Sequence, residues 1–251
     1  MQAYSGAFAR FYNAKWSGFA RRIAPLVFEY CESKGICNSG KPILDLCCGT
    51  GHLATYLLQH NCSLVGIDLS PHMLKYAREN AREYLLSGRA TFIHADVTNF
   101  SLETKCSLAV STFGSMNHLA DESALERCFQ CVRSACDGPF IFDFNTLQGV
   151  KASGLMQVED SDELLLVIQG VYDADNQRVC LRFLGCAGMD GIHQRFDETV
   201  YNRAFKLQTV KDMLASAGWS KSYFTHIDSL GHVISMAEAE NQSRIFVVAT
   251  N

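Results

Sequence analysis

The chain has 251 residues, of which 48% are hydrophobic and 19% are charged, and its formal net charge is −4. This composition is typical of a folded globular protein and excludes an intrinsically disordered chain. The small negative charge offers no basic field, so we expect no nucleic-acid partner. No run of 18 apolar residues occurs, so we expect no transmembrane helix and no membrane partner.

The cysteine content and the N-terminal segment both bear on location. Residues 1–16 lack the apolar core of a secretory signal, and the eleven cysteines are an odd number. An odd count without a signal argues against a disulfide framework. The sequence therefore predicts a cytoplasmic protein with reduced thiols.

The predicted elements begin with a helical segment over residues 8–34, with Pro25 as its expected break. Short apolar runs then alternate with helical patterns. The predicted strands are 43–47, 64–67, 90–94, 108–112 and 140–142, and the helices between them include 52–60, 70–85 and 121–136. Ser70 before Pro71 is a strong helix start. This alternation predicts a parallel sheet covered on both faces.

The pattern changes after Gly149. Residues 164–172, 177–186 and 193–205 read as strands without intervening helices, so they should pair antiparallel. A helix over 210–217 ends at Gly218, and strands 219–227 and 245–249 complete the chain. We therefore expect an α/β fold: a doubly wound, Rossmann-like, mostly parallel sheet with an antiparallel β insert that caps the active site. The expected units are a helical lid (1–38), an α/β domain (39–150 and 206–251) and a substrate cap (151–205).

A glycine turn carries the strongest chemical signal. Gly49 and Gly51 lie where the first strand turns into a helix, so the backbone there can approach a ligand closely. The same spacing also fits a dinucleotide fingerprint, so the glycines alone leave an NAD(P)-dependent oxidoreductase open.

Acidic residues favour a different cofactor. Asp68 ends the second strand, where a carboxylate would accept hydrogen bonds from ribose hydroxyls. Asp96 follows the third strand and belongs to the same edge of the sheet. Asp45 lies within the first strand, where a negative charge suits a cationic cofactor better than a pyrophosphate.

These residues together resemble the class I S-adenosylmethionine-dependent methyltransferases over about residues 40–145. The resemblance implies that Asp45 lies near the methionine moiety, that Asp68 binds ribose, that Met73 packs on adenine and that Asp96 lies near the adenine amine. It implies S-adenosyl-L-methionine as cofactor, with S-adenosyl-L-homocysteine as product. The residues expected to bind it are Asp45, Gly49, Gly51, Asp68, Leu69, Met73, Asp96, Val97, Tyr12 and Trp16.

A narrower resemblance involves the segment from Gly114 to Leu119, which is similar to small bacterial methyltransferases that include amino-sugar N-methyltransferase relatives. The chain departs from their pattern at Gly114 and His118, both on the expected substrate side. His118 is the candidate proton acceptor, because histidine titrates near neutral pH. The residues expected to bind substrate are Tyr4, Ser115, Asn117, His118, Asn145 and Arg195, and Arg203 is a further candidate for an anionic substrate. The N-terminal aromatic residues fit either a lid or ordinary core packing.

The cysteines are expected to be inert. Cys47 and Cys48 read as small buried residues rather than nucleophiles. On one helix, Cys131 would point about 140° away from Cys136, so these thiols should not converge on a metal ion.

We therefore expect an enzyme that transfers a methyl group to a nitrogen or oxygen of a small molecule, as a monomer or homodimer. The alternatives are the oxidoreductase and a non-catalytic sensor that binds S-adenosylmethionine.

Overall fold

A computed structural model describes residues 4–189 and 192–251 of the chain. Its helices are α1 (Gly6–Lys15), α2 (Gly18–Ser33), α3 (His52–Gln59), α4 (Pro71–Asn80), α5 (Arg82–Leu86), α6 (Glu122–Ala135), α7 (Leu147–Ala152), α8 (Leu207–Ala217) and α9 (Met236–Glu240). Its strands are β1 (Ile43–Leu46), β2 (Leu64–Asp68), β3 (Ala90–His94), β4 (Leu108–Ser111), β5 (Phe140–Asn145), β6 (Met156–Asp160), β7 (Leu164–Asp173), β8 (Arg178–Met189), β9 (Ile192–Arg203), β10 (Lys221–His226), β11 (Val233–Ile234) and β12 (Arg244–Thr250). Short 3-10 turns occupy Ile36–Asn38 and Ser115–His118.

The central sheet has the strand order β11-β10-β12-β5-β4-β1-β2-β3. Strands β1 to β5 are parallel, whereas β12 runs antiparallel to both β5 and β10. The order reverses between β1 and β4, and ligands of open α/β sheets bind at the carboxyl ends of the strands beside such a reversal. The predicted Rossmann-like fold and its five parallel strands are confirmed.

Both faces of this sheet are covered, which explains the continuous apolar runs of its strands. Every residue of β1, β4 and β5 is buried. One face packs against α6 and α8, whose buried residues include Phe129 and Leu214. The opposite face packs against α2, α3 and α4 through residues such as Val27, Leu57 and Leu74.

The insert is a separate antiparallel sheet with the order β6-β7-β8-β9. Its three longer strands match the prediction, but β6 was not expected. All five residues of β6 are exposed, and the strand is only five residues long with two apolar residues, which is a weak strand signal.

Helix α1 joins the insert to the central sheet. The Phe8 ring centroid lies 5.6 Å from those of both Phe183 and Phe196 on the insert. On the other side, the Ser70 hydroxyl donates a 3.0 Å hydrogen bond to the carbonyl of Tyr4, just before α1. The aromatic N-terminus is thus packed between the insert and α4.

The expected helix break at Pro25 is wrong. Pro25 lies inside α2, and the break falls at Trp16 and Ser17, between α1 and α2. Proline removes the hydrogen bond to the carbonyl four residues earlier. Here that carbonyl belongs to Arg21, which is exposed, so water can replace the lost donor.

The cysteines of the described chain are free thiols, and Cys128 and Cys136 are buried. The Sγ atoms of Cys37 and Cys62 lie 2.8 Å apart. In residues 4–189 and 192–251, no group of three His, Cys, Asp or Glu side chains is arranged to hold a metal ion. No helix in that part of the chain has the length and hydropathy needed to cross a membrane.

Candidate active site

A cavity of about 360 Å³ opens at the carboxyl ends of β1, β2, β3 and β4. Its walls come from the central sheet, the N-terminal segment and the insert strands β8 and β9. The charged side chains of the described residues that line it form two groups. Asp45, Asp68 and Asp96 belong to β1, β2 and the segment after β3, and we call this region the acidic end. Arg178 and Arg203 belong to the insert, and we call their region the basic end.

The glycine turn forms the floor of the acidic end. Gly49 and Gly51 have φ angles of +54° and +77°, values that residues with a side chain rarely adopt. A Cβ atom on Gly51 would lie 3.1 Å from the Cα of Ala77, so α3 and α4 can approach closely only because that position is glycine. The turn therefore depends on glycine for both its conformation and its packing.

Asp68 is held by the backbone around it. Its Oδ2 accepts a 2.8 Å hydrogen bond from the amide of Gly49, and its Oδ1 accepts one of 2.8 Å from the amide of Ser70. Burial raises the pKa of Asp68, and these backbone hydrogen bonds oppose that change. The backbone thus positions the carboxylate, which lines the cavity and has lone pairs left to accept further hydrogen bonds.

Asp45 is the least satisfied carboxylate at the acidic end. It is 2% exposed, and its Oδ2 accepts no hydrogen bond from any described residue. Burial raises its pKa well above the usual range, and the charge of Asp68 raises it further. The neighbouring Thr50 hydroxyl is also buried and unpartnered. A buried charge without a partner is costly, so these atoms fit a ligand that brings a cation or hydrogen-bond donors.

Two apolar residues and one acid line the rest of the acidic end. Met73 and Val97 are buried and line the cavity. Asp96 is exposed, and its Oδ1 accepts 2.8 Å hydrogen bonds from the amide and hydroxyl of Thr98. This turn leaves Oδ2 of Asp96 available to a ligand.

Aromatic and basic side chains surround the other end. Phe113 follows β4 with a φ of +71°, a strained conformation of the kind that clusters at functional sites. His118 ends the 3-10 turn beside it. Burial lowers the pKa of His118 to about 4, although a hydrogen bond to the backbone of Tyr201 opposes the change. His118 is therefore neutral at pH 7 and keeps a ring nitrogen that can accept a proton or a hydrogen bond.

An ion pair between half-buried Arg244 and buried Asp143 lies next to the aromatic residues of this end. Arg244 Nη1 lies 3.3 Å from Oδ2 of Asp143, which also accepts a 2.8 Å hydrogen bond from the amide of Gly114. Burial raises the pKa of Asp143 to about 6, and Arg244 opposes that shift. The Arg244 guanidinium lies 5.0 Å from the ring centroid of Phe19 and 5.5 Å from that of Phe113. Arg244 thus fixes two aromatic rings of the cavity wall.

Comparison with known proteins agrees with this geometry. A family model described as a methyltransferase domain matches residues 43–136, which run from β1 to the end of α6. Residues 43–136 of the chain therefore match a methyltransferase domain. A Geobacillus sp. (strain WCH70) protein described as a methyltransferase is 26% identical over 220 residues, which cover 84% of this chain and 85% of that protein. The ubiquinone biosynthesis O-methyltransferase of Proteus mirabilis (strain HI4320) is 28% identical over 156 residues, which cover 61% of this chain and 62% of that enzyme.

Solved structures show the same fold along almost the whole chain. A structure described as an S-adenosylmethionine-dependent methyltransferase from Clostridium acetobutylicum ATCC 824 matches with a TM-score of 0.80 and 21% identity, covering 97% of each chain. The sugar N-methyltransferase KedS8 from Streptoalloteichus sp. ATCC 53650 matches with a TM-score of 0.72 and 19% identity, covering 97% of this chain and 92% of that one. Both matches include the insert as well as the parallel sheet.

The residues expected to bind the cofactor gather at one place. All but one of them line the cavity, namely Asp45, Gly49, Asp68, Leu69, Met73, Asp96, Val97, Tyr12 and Trp16. The exception is Gly51, which shapes the turn from below. Burial also raises the pKa of the Tyr12 and Tyr4 phenols, so both remain protonated.

The residues expected to bind substrate divide into two groups. Tyr4, Ser115 and His118 line the cavity, and so does Arg203. Arg195 is exposed and is not part of the lining. It shares a face of β9 with Arg203 but lies eight residues away from it, beyond the cavity.

Asn117 and Asn145 differ from the expectation, because the protein itself uses their polar groups. The Asn117 amide donates hydrogen bonds of 2.9 Å and 2.8 Å to the carbonyls of Asn145 and Arg203, and its oxygen accepts one from the amide of Asn145. The Asn145 side-chain oxygen accepts a 2.8 Å hydrogen bond from Arg244. These asparagines tie β5 to β9 rather than facing a substrate.

Sequence reasoning missed several residues of the lining: Phe19, Phe113, Arg178, Thr199 and Tyr201. Phe113 has a sequence signal, since it follows a buried strand at the edge where the acids lie. Arg178 and Tyr201 have none, because strands of an insert reveal their cavity-facing side only when the insert is placed.

Proposed function

We propose that the cavity binds S-adenosylmethionine at its acidic end and a small acceptor molecule at its basic end, where a nitrogen or oxygen receives the methyl group. The observation that carries the proposal is the buried, unpartnered Asp45 oxygen beside the glycine turn. A cationic amino or sulfonium group supplies what that carboxylate lacks, whereas a pyrophosphate would add negative charge next to it. The charge of Asp45 therefore favours a methyl donor over NAD.

Each group at the acidic end has a proposed part. Asp68 accepts hydrogen bonds from the ribose hydroxyls, Asp96 accepts one from the adenine amine, and Met73 and Val97 pack on the adenine ring. Asp45 and the glycine turn hold the amino-acid end. When bound, S-adenosylmethionine supplies a methyl group on a positively charged sulfur, which a nucleophile displaces.

The protein contributes mainly alignment and the exclusion of water. Holding two reactants in line is worth about 7–11 kcal/mol of barrier in favourable cases. The lid formed by α1 and the insert covers the cavity, so Tyr12, Trp16 and Tyr201 would restrict access of water to the reacting atoms. Neutral His118 orients the acceptor and takes a proton if the nucleophile must lose one.

The acceptor is proposed to be a small molecule, with nitrogen or oxygen as the methylated atom. The sugar N-methyltransferase KedS8 and the ubiquinone biosynthesis O-methyltransferase of Proteus mirabilis are relatives that act on one atom type each. The free cysteines of the described chain suit the reducing cytoplasm, which we propose as the location.

Titration calorimetry with S-adenosylmethionine, S-adenosylhomocysteine and NAD tests the proposal. We expect both sulfur compounds to bind with one site per chain and NAD to give no heat. Binding of NAD in their place would support the oxidoreductase. Binding of the sulfur compounds without methyl transfer to any of a broad metabolite mixture would support the sensor.

A further inference from the structure

Arg178 and Arg203 form an unusual pair at the basic end. They lie directly opposite each other in the antiparallel register of β8 and β9, so their side chains share one face of the insert. Both are half-buried and both line the cavity. Like charges placed directly opposite in a sheet destabilise it. The fold therefore places two cations side by side with one nearby carboxylate, Asp173, and a bound anion would reduce the repulsion that remains.

The internal partners of these arginines leave most of their donors available. Arg178 uses Nε for a 3.2 Å contact with Asp173, and its guanidinium lies 5.0 Å from the ring centroid of Tyr201. Arg203 donates from Nη1 to the carbonyl of Asn176 at 3.1 Å, and it forms no ion pair with a described residue. These contacts orient the two side chains, while several of their N–H groups remain unused within the described chain.

Two other arginines show the contrast. The charge of Arg244 is matched by the buried carboxylate of Asp143. Arg182 lies four residues after Arg178 on β8. It donates two hydrogen bonds to the Asp197 carboxylate, at 2.7 and 2.6 Å, and it is exposed and does not line the cavity. The acidic residues that line the cavity belong to β1, β2 and the segment after β3. In the central sheet these strands lie on the opposite side of β4 from β5.

We propose that the methyl acceptor carries an anionic group, a carboxylate or a phosphate, which Arg178 and Arg203 bind together at the basic end of the cavity. The inference rests on the proposed function, since it names the acceptor of that reaction. The planar guanidinium presents paired donors that match either anion. Phe19, Phe113 and Tyr201 would contact the apolar body of the acceptor, and neutral His118 adds no charge to the site.

Binding of simple probes to the protein loaded with S-adenosylhomocysteine tests the inference. Benzoate and phenyl phosphate carry the two anions on an aromatic ring, and benzamide is their uncharged match. Trp16 lines the cavity, so its fluorescence reports binding. We expect one or both anions to bind at least about tenfold more tightly than benzamide, the effect of one charge-assisted hydrogen bond. The preferred anion distinguishes a carboxylate from a phosphate.

Three variants complete the test. Arg178→Gln and Arg203→Gln should each remove the preference for the anion, whereas Arg182→Gln should keep it. The inference is overturned if both anions bind no better than benzamide, or if Arg182→Gln weakens them as much as the other two. Binding of S-adenosylhomocysteine is measured alongside. If the wild type does not bind S-adenosylhomocysteine, the proposed function is refuted. If it binds S-adenosylhomocysteine but shows no preference for the anions, only the inference about the acceptor is refuted.

Discussion

Replacing Asp68 probes the donor site most directly, and the structure separates two effects of the change. Asp68 would accept hydrogen bonds from two ribose hydroxyls, and it already accepts 2.8 Å bonds from the amides of Gly49 and Ser70. Asp68→Ala removes both sets. Asp68→Asn keeps the shape and one carbonyl oxygen, so it should disturb the glycine turn less.

The magnitude follows from these bonds. A hydrogen bond to a charged group contributes about 1.5–3 kcal/mol, and two to one carboxylate are not fully additive. We expect Asp68→Ala to weaken S-adenosylhomocysteine binding by about 2–3 kcal/mol, which is about 30- to 160-fold. It should also lower the free energy of unfolding by about 1–3 kcal/mol, because two backbone amides lose their acceptor.

Calorimetry on folded protein, together with urea denaturation, measures both quantities. Asp137→Asn is the control, because Asp137 is a surface residue that pairs with Lys41 away from the cavity. Asp68→Asn should show most of the affinity loss and less of the stability loss. Donor affinity that stays unchanged in both Asp68 variants, while their folds remain intact, would remove Asp68 from the site.

Three further predictions concern His118, the aromatic lid and the thiols. Because burial lowers the pKa of His118 to about 4, the unfolded chain takes up its proton first as the pH falls, so stability should decrease between about pH 6.5 and 4. The pKa of Asp143 is raised to about 6, so this residue changes stability in the opposite direction over the same pH range. Urea denaturation therefore compares the wild type with His118→Asn, in which the free energy of unfolding should decrease less as the pH falls. Equal decreases in the two proteins would contradict this prediction. Phe8→Ala removes a buried ring that packs on Phe183 and Phe196. The variant should lower the free energy of unfolding, measured by urea denaturation, by about 3–5 kcal/mol and make α1 sensitive to limited proteolysis. A decrease of less than about 1 kcal/mol would be evidence against a packed lid. Thiol titration of the denatured protein should find nearly all eleven cysteines free, and stoichiometric zinc in metal analysis would refute that view.

Much of the donor side was predictable from sequence because its signals are local. Parallel strands buried on both faces give short apolar runs, and Gly49, Gly51 and the Ser70-Pro71 start mark the turns between strand and helix. The acids then fall at strand ends, and the topology of a parallel sheet gathers such ends at one edge.

The acceptor side was less predictable because it depends on distant contacts. Asn117 reads as a polar residue at the mouth of a site, yet its amide is consumed by carbonyls on β5 and β9. Arg195 and Arg178 look alike in sequence and share one face of the insert, and only the placement of the insert shows that Arg178 lines the cavity while Arg195 lies beyond it. The helix break predicted at Pro25 was wrong for a related reason. Whether this proline ends α2 depends on whether the carbonyl of Arg21 can reach water, which only the folded structure shows.

A crystal structure of the protein with S-adenosylhomocysteine would show whether the acidic end holds the methyl donor. We predict that the ligand occupies the cavity, with its ribose on the Asp68 carboxylate, its adenine between Met73 and Asp96, and its amino group beside Asp45. The sulfur should then face His118 and the basic end. Density for the ligand outside this cavity, or a reversed orientation with the ribose away from Asp68, would contradict the proposed donor site.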